Sequence, residues 1–121
     1  MPPRSPRPAS LQRIVSTIGT LAQDIAQVRD YASYEQMVVL NQKTKQRLSK
    51  LTPAELMQVA SMSMISPIGM AAMLEASVRS GAAGGWEMFV TPTDEIAFSV
   101  RDPKRPEWKT MAQPKGMEPC A

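Results

Sequence analysis

One repeat near the start of the chain limits its folding choices more than any other feature. Leu11, Ile14, Ile18, Leu21, Ile25, Val28 and Ala32 recur at intervals of three and four residues. A helix turns once every ~3.6 residues, so this spacing puts every one of these side chains on a single stripe. The spacing predicts an amphipathic helix over residues 9–32. Val15 and Ala22 widen the stripe to one side. Few opposed charges flank it, which fits a broad packed face better than a two-stranded coiled coil. Two uses are open. The stripe can cover its own domain, or it can be an oligomer seam formed by Leu11, Ile14, Ile18, Leu21, Ile25 and Val28. The rest of the chain is short of apolar residues with which to cover it, with two Phe, two Trp and two Tyr; ten Met supply much of what a core needs.

Eight of the eleven prolines lie near the ends, at 2, 3, 6, 8, 103, 106, 114 and 119. Residues 1–8 and 101–121 therefore read as extended arms without regular structure. Between the arms, residues 33–100 read as a compact helical domain ending in a β-hairpin. A second helix is expected from Tyr34 to Lys50, with Ser33 and Gln36 as a weak capping box. Its second half, NQKTKQRLSK, is the most basic run in the chain. Lys43, Lys45, Arg47 and Lys50 are candidate phosphate contacts, weighed against an ordinary solvated face.

Thr52, Pro53 and Glu55 form a strong helix start: Thr at the N-cap, Pro at the first helical position, Glu at the third. Ser66-Pro67 repeats the cap-and-proline device, and Gly81 supplies a stop. The stretch SMSMISPIGMAAML thus reads as a helix–turn–helix corner. Met64, Met70 and Met73 are expected to face inward, and Met57 and Met62 could flank a groove that accepts another helix. Trp86, Met88 and Val90, then Ile96, Phe98 and Val100, alternate with more polar residues around a Thr91–Asp94 turn. That pattern predicts a hairpin over 86–100 with one apolar face. The fold class is mostly α with a small β-hairpin, an α+β arrangement.

The chemistry is mostly exclusion. The chain has no His and a single Cys, Cys120. The usual general base and metal ligand is missing, and no disulfide or Cys/His metal site can form within one chain. Neither GxGxxG nor GxxxxGK[ST] occurs, and GAAGG at 81–85 lacks the Lys of a phosphate loop. No catalytic residue, metal site, cofactor or small-molecule substrate is assigned. No apolar run is long enough to span a bilayer, so no membrane partner is expected. The segment MPPRSPRP lacks the apolar core of a secretory signal. Arg4, Arg7 and Arg13 before the first acid resemble an organellar presequence in one respect, which keeps import as a minority reading.

A helix–turn–helix followed by a hairpin is also the order of a winged-helix DNA reader. Such a reader needs Arg, Asn, Gln or Lys on the early exposed turns of its second helix. Here those positions are expected to hold Ile68, Gly69 and Ala72, with charge arriving only at Glu75 and Arg79. The C-terminal run carries Arg101, Lys104, Arg105, Trp108 and Lys109, a candidate anchor for a protein partner. A net charge of +3 permits a non-specific nucleic-acid contact without requiring one. The reading favoured by the sequence is a non-enzymatic structural or adaptor subunit that binds protein partners or itself. It would act in the cytoplasm or within a viral particle, and a bacteriophage assembly would suit it. The alternatives are a winged helix–turn–helix regulator and a small protein inhibitor of an enzyme.

Overall fold

The computed structural model describes residues 11–29, 34–62, 66–93, 95–105 and 107–110. Four helices precede three strands: α1 Leu11–Arg29, α2 Tyr34–Ser49, α3 Pro53–Met62, α4 Pro67–Arg79, β1 Gly85–Val90, β2 Ile96–Arg101 and β3 Trp108–Thr110. The strands form one antiparallel sheet in the order β1-β2-β3. The fold is mostly helical with a small antiparallel sheet, as the sequence implies. The arms at 1–8 and 111–121, the Ser33 cap and Met64 lie outside the described residues.

The helix boundaries follow from local chemistry. Thr52 and Glu55 form a reciprocal capping box: the Thr52 N–H donates to Glu55 Oε1 at 2.9 Å, and the Glu55 N–H donates to Thr52 Oγ1 at 3.1 Å. Ser66 caps α4 by accepting from the Gly69 N–H at 3.3 Å, with Pro67 following it. At the far end Gly81 has φ +83, and the Ala82 N–H reaches back to Ser77 O at 2.9 Å. That is a left-handed helix stop in which glycine avoids a Cβ clash.

Ile14, Leu21 and Ile25 are buried in the same hydrophobic cluster as Leu40, Leu56, Ala72, Trp86, Met88 and Phe98, with Ile18 and Val28 packed against it. This corrects the reading of the stripe as an oligomer seam. Leu11, the remaining member, is 66% exposed. The seam is consumed by the chain's own core because α2, with α3 and α4, supplies the apolar surface that composition alone did not promise. For the same reason α1 is not a segment apart from residues 33–100.

A second correction concerns residues 101–110. They are not a free arm. Asp102 accepts from the Lys104 N–H at 2.8 Å, and Asp102 and Pro103 turn the chain back. Trp108–Thr110 then pairs with Ser99–Arg101, so the expected hairpin is a three-stranded sheet. Gly84 is needed at this crossing, since a Cβ there would lie 2.9 Å from Asp102 O and from Pro103 Cα.

Candidate protein-docking site

The helix–turn–helix corner sets one face of α3 and α4 inward and leaves another uncovered. Leu56, Val59 and Ala60 of α3 and Ile68, Ala71, Ala72 and Leu74 of α4 are buried. On the outer side Met57, Met62 and Met73 are exposed by 56%, 51% and 46%, large values for thioether side chains. Met57 and Met73 both line a groove of about 520 Å³, whose lining also includes Pro53, Ala76, Ser77, Arg79 and Ser80. The two serines do not make the wall polar. Ser77 Oγ donates to Met73 O at 3.0 Å and Ser80 Oγ donates to Ser77 O at 3.1 Å. Their hydroxyls are engaged with the helix backbone, and methyl and methylene groups are left to line the groove. Met73, expected inside, is on the surface because α4 turns Ala72 and Leu74 to the core on either side of it.

The groove stands on a rigid base. Arg79, at one end of its lining, donates to Leu51 O at 2.6 Å, Leu48 O at 2.8 Å and Glu75 Oε2 at 3.2 Å. Its guanidinium thus caps the carbonyl end of α2, where a cation also suits the helix dipole. Glu75 in turn accepts from the Trp86 indole N–H at 3.2 Å. From the other side Arg13 of α1 donates to Lys50 O, and it also lies 3.6 Å from the buried Glu55. Four elements therefore meet at the end of α2. The polar positions Glu75 and Arg79, which a DNA reader would aim outward, hold the domain together. Ile68, Gly69 and Ala72 are buried and not exposed, which corrects their expected placement. The cause is that α4 is the central helix, covered by α3, the sheet, α1 and α2.

The candidate phosphate contacts differ in their surroundings. Lys43 and Lys50 are exposed. Lys45 Nζ lies 5.1 Å from the ring centroid of Trp86, a cation–π distance. Arg47 donates to Asp24 at 2.7 Å and ties α2 to α1. The C-terminal candidates do cluster, along β2, β3 and the turn between them. Arg101 donates to Gly84 O at 2.7 Å, and Lys104 and Arg105 occupy the exposed turn. Trp108 is 44% exposed and leans on Gly85, where a Cβ would sit 3.3 Å from its ring. Among the described residues no group of three His, Cys, Asp or Glu could hold a metal ion, and no helix is long and apolar enough to cross a membrane.

The sequence reading missed Asn41. Its amide nitrogen donates to Met88 O at 2.9 Å and to Met37 O at 3.0 Å, and its oxygen accepts from the Met88 N–H at 2.7 Å. It pairs with the outer edge of β1 as a further strand would. No local signal marks it within NQKTKQRLSK, because its partner is 47 residues away. Comparisons with known proteins add no constraint: no family model matches the chain, and neither the curated proteins nor the solved structures contain a significant match.

Proposed function

We propose that this chain is a small non-enzymatic adaptor subunit that holds an amphipathic helix of a protein partner in the groove between α3 and α4. The observation that carries the reading is that Met57 and Met73, both exposed, line one groove of about 520 Å³ between α3 and α4. Exposed apolar surface of this kind marks interaction sites more often than chance leaves it. Methionine suits the task, since its unbranched thioether adapts to an irregular guest. A groove between two helices accepts a third through side chains spaced three and four residues apart. Trp108, exposed on the sheet beside Lys109, is a candidate secondary contact for the same partner. The winged-helix alternative draws less support, because the early turns of α4 carry no exposed base-reading side chain.

The test is a selection of helical peptides on the whole protein, followed by NMR of methionine methyl groups. Selected peptides should shift the Met57 and Met73 methyl signals. Replacing both residues by Glu should weaken binding at least tenfold while leaving the thermal melt unchanged. Peptides that instead move only Lys43, Lys50 or Trp108 would sink the groove reading.

A further inference from the structure

The outer face of α1 is a second apolar surface, apart from the α3–α4 groove. Leu11, Val15, Gly19, Ala22 and Ala26 are all exposed, and their spacing puts them on one stripe beside the buried face. Among the described side chains, Arg13 is the only charged one exposed on α1, and it lies off this stripe. From Leu11 to Ala26 the stripe carries no charged residue, and Arg29 follows at its end. Gly19 sits in mid-helix, where glycine weakens a helix, yet among the described residues nothing lies within 4 Å of a Cβ built there. No described neighbour calls for a glycine at that position.

The order of sizes along the stripe says what fits it. Two large side chains, Leu11 and Val15, occupy one end, exposed by 66% and 53%. Two small ones, Ala22 and Ala26, occupy the other, and Gly19 lies between. An antiparallel second copy related by a twofold axis beside Gly19 would set Leu11 against Ala26 and Val15 against Ala22, large onto small in both directions. Ala22 and Ala26 also border a pocket of about 500 Å³ lined by Ile25, Pro67, Ile68 and Ile96, with Glu95 as its one charged wall residue. Leu11 and Ala26 are about 22 Å apart along the helix, and the twofold returns each Leu11 to the mouth of the partner copy's pocket. A self-complementary patch of this kind is what an isologous dimer requires.

We infer that the chain forms a reversible antiparallel homodimer through the outer stripe of α1, with Leu11 of each copy seated in the pocket beside Ala26 of the other. The contact runs along a single helix of 19 residues, so it is small for a dimer, and assembly depends on concentration.

Sedimentation velocity across a wide concentration range tests this with the full chain. The sedimentation coefficient should rise with concentration. Gly19→Leu should hold it at the monomer value without lowering the melting temperature, and Ala22→Glu should do the same by charge. In a Cys120→Ser background, Val15→Cys combined with Ala22→Cys should cross-link on mild oxidation, whereas Val15→Cys alone should not. Replacing Met57 and Met73 by Glu should leave the dimer intact, which separates this result from the groove. A monomer at every concentration overturns the inference. So does a dimer that survives Gly19→Leu and Ala22→Glu, or cross-linking by Val15→Cys alone, which would make the helices parallel.

Discussion

Replacing Asn41 tests how the sheet is held to the helices. Met88 pairs with Phe98 across β1 and β2, and Thr91 donates to Glu95 O at 2.8 Å at the end of that ladder. Hydrogen-bonded pairs alternate in an antiparallel ladder, so Met88, three residues before Thr91, is at a non-bonded position and its N–H and C=O face the outer edge. Asn41 satisfies both. Met88 is only 3% exposed, so water cannot readily replace the amide. Asn41→Ala removes three hydrogen bonds and orphans the Met88 groups. With a net contribution of about 1 kcal/mol for each of the three bonds, the loss is about 3 kcal/mol. With a urea slope of about 1.5 kcal/mol per molar, the unfolding midpoint should fall by about 2 M at constant slope. Asn41→Asp is the sharper variant. A carboxylate still accepts from the Met88 N–H, but it faces the Met88 and Met37 carbonyls with no proton to donate, so Asp should be no better than Ala. Amide exchange at Met88 should accelerate in both. A midpoint shift under about 0.5 M, or an Asp variant as stable as wild type, would refute the account of Asn41 as the edge cap of β1.

Three further expectations concern the same framework. Arg79→Met keeps the aliphatic stem but removes charged bonds to Leu48 O, Leu51 O and Glu75, so denaturant melts should show a loss of about 3 kcal/mol; a loss below about 1 kcal/mol would mean the capping is ornamental. Thr44 is 1% exposed and its Oγ1 has no hydrogen-bond partner among the described residues, so the near-isosteric Thr44→Val should stabilise the protein by about 1 kcal/mol in the same melts, and destabilisation would contradict the assignment. Gly84→Ala places a Cβ against backbone atoms of Asp102 and Pro103 and should cost about 1–3 kcal/mol, with amide exchange rising first in β3; unchanged protection at Lys109 would show that the crossing is not tight.

The polar network around the end of α2 also bears on the proposed groove. Arg79 belongs both to the groove lining and to the cap of α2, and Glu75 links it to Trp86. A guest helix lying against Met57 and Met73 would therefore rest on a wall braced by three other elements. Preorganisation of this kind lowers the ordering cost of binding.

Residues 1–110 show two kinds of legibility. Helix starts at Thr52 and Ser66, the stop at Gly81 and the alternation of Trp86, Met88 and Val90 were readable, because each is decided by residues within a few positions of one another. The inner face of α1 was readable as a stripe, but its occupant was not. Whether Ile14, Leu21 and Ile25 meet another copy or their own core depends on how α2, α3 and α4 fold back on α1. The third strand was hidden behind prolines that read as an arm, although Asp102-Pro103 is itself a turn signal. The methionines divided only in three dimensions: Met73 emerged on the surface because its neighbours Ala72 and Leu74 took the interior.

The sequence alone thus determined the four helices, the first hairpin and the lack of histidine, since those follow from local spacing and composition. Only the tertiary structure decided which apolar faces are covered and which stay open, and which charges are bound inside. Burial is set by contacts such as Asn41 with Met88, 47 residues apart, and Arg79 with Leu48, 31 residues apart, and no local pattern encodes a pairing at that distance.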